Sequence, residues 1–122
     1  LSLDWMNPKE SWKWAGPNWD EFVNTSTIKR FVGVEIQSDN PESMKNKWQS
    51  LLRVPDEKIS DTEINLDTTW IRFIKDEDGR GPGVSAFCIE ANDNSSLLKK
   101  ADDLGLVNEE EIFIGGVKFL LS

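Results

Sequence analysis

The feature that most constrains this chain is that it repeats itself. Displacing Gly33-Val34-Glu35-Ile36 by 53 positions lands on Ala86-Phe87-Cys88-Ile89, and the same step carries Trp48 to Ala101, Leu51 to Leu104 and Val54 to Val107. The closing segments match at a shorter step of 46, with Ile71-Arg72-Phe73 over Val117-Lys118-Phe119, which asks for a loop seven residues shorter in the second copy. A chain of 122 residues carries apolar material for one ordinary core and hardly for two. The two copies must therefore share one domain, related by an internal pseudo-twofold.

Both copies read as the same run of elements. From Phe31 to Ser38, Val32, Val34 and Ile36 alternate with Gly33, Glu35 and Gln37, the pattern of a half-buried strand. Asn40-Pro41-Glu42 then opens a helix with a capping side chain, a first-turn proline and an acidic residue at the positive end of the helix dipole. Met44, Trp48, Leu51 and Leu52 supply its apolar stripe, and Pro55 lies beyond its end. Glu63 to Leu66 and Trp70 to Ile74 form a hairpin around Asp67-Thr68-Thr69. The glycine-rich stretch from Lys75 to Gly83 reads as a flexible crossover. A strand from Val84 to Ala91 follows, then a helix from Ser95 to Leu104 closed by Gly105, then a hairpin about Gly115-Gly116. The predicted class is α+β: two tandem βαββ units, residues 29–75 and 83–122, in a curved, antiparallel-rich sheet with the helices on one face.

Residues 1–28 stand apart as an aromatic-rich arm. Trp5, Trp12, Trp14, Trp19 and Phe22 are interleaved with Asn7-Pro8 and Gly16-Pro17, so large rings ride on a turn-punctuated backbone suited to covering an apolar surface. The opening Leu1-Ser2-Leu3 reads as the end of a strand belonging to an upstream domain. Acidic residues outnumber basic ones 22 to 14 with no basic patch, which argues against nucleic acid as a partner. No apolar run approaches the roughly 20 residues that cross a bilayer. The single cysteine excludes an internal disulfide and suits a reducing compartment, the cytoplasm.

Period two sends Val34, Ile36, Ile71, Phe73, Phe87, Ile89, Ala91, Val117, Phe119 and Leu121 beneath the helices. The opposite face receives Glu35, Gln37, Trp70, Arg72, Cys88, Glu90, Lys118 and Leu120. Two readings of this face stand side by side. In one, Arg72 and Lys118 pair with Glu35 and Glu90 in a cross-strand charge ladder. In the other, the face holds a small anionic or amphipathic molecule: Arg72 supplies two directed donors, Lys118 a point charge, Gln37 an orienting amide and Trp70 an apolar wall. No catalytic constellation emerges. Cys88 has no histidine to deprotonate it, because the chain has none, and a mid-strand cysteine is ordinarily a packing residue. Gly79-Arg80-Gly81 and Gly115-Gly116 lack the strand-loop-helix setting of a nucleotide fingerprint.

The stretch Val34-Glu35-Ile36-Gln37-Ser38-Asp39-Asn40-Pro41-Glu42, followed by a helix and hairpin and then repeated, resembles the vicinal oxygen chelate (glyoxalase/bleomycin resistance/dioxygenase) superfamily over Lys29 to Ser122. The whole chain looks similar to the C-terminal half of a longer glyoxalase-like protein. The resemblance implies a sheet-lined cavity and a partner, either a second copy or an upstream half, since such proteins normally combine four units. Metal-dependent members place a His at the start of each module's first strand and a Glu or His on a later strand. Those positions correspond to Gly33 and Ala86, and fall close to Arg72 and Lys118. Two of these have no donor and two are cationic. The expectation is a metal-independent, cofactor-free small-molecule-binding module of unknown ligand, open to being part of an enzyme of unidentified activity; the alternative is a structural or dimerisation module with no ligand of its own.

Overall fold

The computed structural model describes residues 18–109 and 111–122. The role assigned to Trp5, Trp12 and Trp14 lies outside the described residues. A short 3-10 turn, Trp19–Phe22, leads into strands β1 (Ile28–Ser38), β2 (Glu63–Asn65), β3 (Trp70–Lys75), β4 (Gly83–Ala91), β5 (Val107–Asn108), β6 (Glu111–Ile114) and β7 (Val117–Leu121). Helix α1 (Pro41–Leu52) follows β1, and α2 (Asn94–Asp103) follows β4. The seven strands form one sheet in the order β2-β3-β1-β4-β7-β6-β5. β1 and β4 lie antiparallel at its centre, and each pairs in parallel with the last strand of its own unit. This is the expected α+β sheet of two repeated units.

The register shows how closely the halves correspond. Val34 faces Phe87 across the central pair, while Gly33 faces Cys88 and Glu35 faces Ala86. A displacement of 53 exchanges these last two pairs, so the pseudo-twofold axis passes between Val34 and Phe87. It also carries cap to cap: Asn40 Oδ1 accepts from the Ser43 amide at 3.0 Å, and Asp93 Oδ1 from the Ser96 amide at 3.1 Å.

The closing strands obey a different step from the one expected. Val34 pairs with Ile71 and Phe87 with Phe119, so Ile71 (position 71) corresponds to Phe119 (position 119), a displacement of 48 and not 46. The step of 48 also places the isolated bridge Ile59↔Ile64 onto the β5–β6 pair Val107↔Ile112. The second unit thus gains a short extra strand, and Val107 corresponds to Ile59, not Val54. The structural equivalents are Trp70 with Lys118 and Arg72 with Leu120, so Arg72 and Lys118 are not symmetry mates. A slip of two residues keeps every side chain on its face, which is why the alternation pattern could not detect it.

Helix α1 covers the first half. Ile36, Ile64, Ile71 and Phe73 form a buried cluster on which Met44 and Trp48 pack, with the Trp48 and Phe73 rings 6.4 Å apart. Two stripe residues depart from expectation: Leu51 is 80% exposed and Leu52 47%. The helix buries Lys45 instead, whose Nζ donates to the carbonyls of Ser60 and Asp61 at 2.8 and 2.7 Å. An ammonium with two carbonyl acceptors can sit in a partly dry site while its methylenes pack against the sheet.

The crossover between the halves is a hydrogen-bonded structure, not a loose linker. Asp76 accepts from the amides of Gly79 and Gly81 at 2.9 and 2.8 Å. Asp78 accepts from the Arg80 amide at 3.0 Å and from its guanidinium at 2.7 Å. Gly79 and Gly81 both take positive φ, 72° and 84°, conformations that side-chain-bearing residues resist.

Candidate functional site

The sheet face opposite the helices carries the polar set, and its members divide into three groups. Arg72, at the centre of β3, donates from Nε to Glu63 at 2.8 Å and from Nη1 to Glu35 at 3.4 Å. Its guanidinium carbon stands 4.4 Å from the centre of the Trp70 ring, a cation–π stack. The Trp70 ring in turn lies flat on Gly33, its register partner on β1. Glu35, Glu63, Trp70 and Arg72 thus form one closed cluster, in which the Glu35 side chain is only 10% exposed. The ladder reading holds for Arg72 and Glu35. It misses Glu63, which the β2–β3 register sets directly opposite Arg72. The turn expected at Asp67-Thr68-Thr69 would set Ile64 opposite Arg72; the Leu66 amide instead bonds the Thr69 carbonyl, which shifts the register by one and brings Glu63 there.

Glu90 lies elsewhere. It is held by Lys29 at 2.6 Å and Arg30 at 2.7 Å. These hydrogen bonds, Lys29's first, lower its carboxyl pKa. Glu90 is therefore not a neighbour of Arg72 or Lys118. Cys88 is buried, and burial pushes its thiol pKa up, against an opposing pull from Arg72. That shift disfavours the thiolate a nucleophile needs.

Gln37 and Lys118 line a cavity of about 200 Å³ together with Ile74, Glu77, Asp78, Arg80, Ser85, Glu111 and Phe113. A register shift between Glu35 and Ile36 bulges β4 at this point and brings Ser85 into the lining. Gln37 is 2% exposed, and its amide nitrogen donates to Asp78 Oδ1 at 2.7 Å and to the Gly81 carbonyl at 3.0 Å. The crossover is thereby pinned over one end of the cavity. The Gln37 bond, followed by those from Arg80, holds the Asp78 carboxyl far below the usual range near 3.8. A depressed carboxyl stabilises the fold above its unfolded pKa, and that contribution is lost as the pH falls through the folded one. Melting temperatures measured at decreasing pH below about 4 should therefore fall less steeply for Gln37→Met than for the parent, because the variant has lost the largest cause of the shift.

Lys118 differs from the other cations of this face. Its side chain is 23% exposed, and among the described residues its one ion-pair partner is Glu111 at 3.4 Å. Sequence reasoning singled out Gln37 and Lys118 but not Asp78, Arg80, Ser85 or Phe113, because three of these four sit on the crossover or at a bulge, whose placement has no periodic signal. Phe113 was accessible to it, since it pairs with Lys118 in the last hairpin.

The residues present do not suit a metal ion. A side chain at Gly33 would place its Cβ within 2.6 Å of three atoms of the Trp70 ring. That ring fills the position to which the resemblance assigns a first-strand ligand. Ala86 has no donor, and Arg72 and Lys118 would repel a cation. Among the described residues, no group of three or more ligating side chains comes together. No helix among them is long and apolar enough to cross a membrane.

No family model and no curated protein matches the sequence. The comparison with solved structures finds the crystal structure of methylmalonyl-CoA epimerase from Mycobacterium tuberculosis, at a TM-score of 0.57 and 17% identity, over 81% of this chain and 90% of that one. The chain therefore shares the fold of that epimerase, as the resemblance implied.

Proposed function

We propose that this chain is a metal-independent member of the vicinal oxygen chelate superfamily that binds a small anionic or amphipathic molecule in the cavity between Gln37 and Lys118. One observation carries the reading. Among the described residues the Lys118 ammonium makes no hydrogen bond, although it is largely covered and lines a cavity. A half-buried ammonium has three donors to satisfy, and an anion in the cavity would satisfy them. Phe113 and Ile74 offer apolar walls, and the Ser85 hydroxyl a neutral donor or acceptor. The volume suits a ligand below drug size, such as a short or aromatic carboxylate. The fold shared with the epimerase supports the superfamily part of this reading.

A thermal-shift screen of small carboxylates, run with chelator present, tests the reading. Hits are expected to raise the melting temperature of the parent, and Lys118→Ala should lose most of that rise, corresponding to about 1.5–3 kcal/mol of binding for a charge-assisted hydrogen bond. The unliganded melting temperature should change little. Hits that bind Lys118→Ala as tightly as the parent, or that require added metal, would overturn the reading.

A further inference from the structure

The two helix-covered halves are built on the same plan but are not equally filled. In the first, Trp48 of α1 packs on the cluster containing Ile36, Ile64 and Ile71. Applying the two displacements, their equivalents are Ala101, Ile89, Ile112 and Phe119. An alanine stands where the first half has an indole, and between α2 and the sheet a groove of about 400 Å³ stays open. Apart from Thr27 and Lys100, every residue lining it is apolar. Leu104 and Ile114, both on its wall, are 65% and 52% exposed.

The groove adjoins a polar recess of about 160 Å³, with which it shares Thr27, Leu97 and Lys100. Two polar side chains of the recess are already engaged: Asn92 donates to the Thr25 and Ser26 carbonyls at 2.7 and 3.0 Å, and Asp93 accepts from the Ser96 amide at 3.1 Å. The remaining polar groups are the hydroxyls of Ser26, Thr27 and Ser96 and the Lys100 ammonium, which no ion pair holds among the described residues. Lys100 is also the one cation in either lining. An apolar trough that opens beside a cation and a set of hydroxyls is complementary to a molecule with an apolar body and an anionic head.

We propose that the groove beside α2 binds a straight-chain aliphatic carboxylate of medium length, its tail in the space left by Ala101 and its head at Lys100. The site is separate from the cavity at Lys118 and does not rest on the reading of that cavity. Calorimetric titration of the full chain with hexanoate, octanoate and decanoate, each below its micellar concentration and with chelator present, tests the proposal. Affinity should rise about fourfold for each methylene that the groove takes up. Lys100→Ala should weaken decanoate about tenfold and leave decanol unaffected, since the alcohol has no charge for the ammonium to meet. Ala101→Trp should flatten the series by filling the groove from within, and Ile114→Glu, at an exposed wall position, should flatten it without touching the buried core. Equal affinities across the series, or a Lys100→Ala variant that binds decanoate as the parent does, would overturn the proposal. So would a parent dimer in sedimentation velocity that Ala101→Trp converts to monomer, which would make a second copy the occupant. Lys118→Ala should keep the whole gain with chain length; loss of that gain would move the tail to the other cavity and overturn the groove. Because the gain with chain length is what is read, failure here leaves the binding of short carboxylates at Lys118 intact.

Discussion

Arg72→Ala is expected to lower the unfolding free energy by about 1–3 kcal/mol, more than the few tenths typical of an exposed ion pair. The difference lies in what truncation leaves behind. Arg72 joins Glu63 on one side to Glu35 on the other, and Glu35 is the more covered of the two, 10% exposed against 24%. Without the guanidinium, a nearly dry carboxylate faces a second carboxylate with no cation between them, and the Trp70 ring loses the charge stacked on it. Adding Glu35→Gln should recover a large part of the loss, because the uncompensated charge goes with it. Arg72→Lys should recover less, since one ammonium cannot reproduce a planar group that bonds two carboxylates and stacks on a ring. Urea titrations of the four proteins decide the matter. A loss below about 0.5 kcal/mol for Arg72→Ala would show that the cluster is solvated and loosely held.

Gly33→Ala is expected to cost at least as much, about 1–3 kcal/mol or more, although it adds a single methyl group. The added carbon would press on the fused bond and the edge of the Trp70 indole, within 2.6 Å. The obstacle is a ring face wedged between β1 and the Arg72 guanidinium, not the free end of a flexible chain, so relief requires moving the whole stack. Substituting Trp70 with leucine in the same protein should return most of the lost stability by freeing that space. Equal denaturation midpoints for the parent and Gly33→Ala would mean that the ring does not rest on Gly33. The same contact explains why a ligating side chain at position 33 is incompatible with this core.

Much of the fold was legible because local signals agreed with one another. The caps at Asn40 and Asp93, the alternation through β1 and β4 and the step of 53 all describe one physical fact, a strand-to-helix unit used twice. The step between the closing strands was misread for a reason built into sheets. Faces repeat every two residues, so 46 and 48 satisfy the same hydrophobic pattern, and only the strand pairing, Val34 with Ile71 and Phe87 with Phe119, separates them. Lys45 was invisible because a lysine in a helix reads as solvated, and its burial depends on two carbonyls some fifteen residues away. The crossover was misjudged because aspartates and glycines signal flexibility equally well when they are free and when they bond one another. On the open face, composition identified the polar set, but pairing decided its roles: Arg72 is engaged by Glu63, Glu90 by Lys29 and Arg30, and Lys118 is left with donors to spare.

The central claim, that this open face binds a small anion without metal, is tested most directly by following the backbone amides in two-dimensional NMR during titration with benzoate in the presence of a chelator. The expected result is saturable shifts concentrated at Gln37, Ser85, Phe113 and Lys118, with little change along α2, and their disappearance in Lys118→Ala. Shifts that appear only when a divalent cation is supplied, or that centre on the α2 groove and leave Lys118 unmoved, would contradict it.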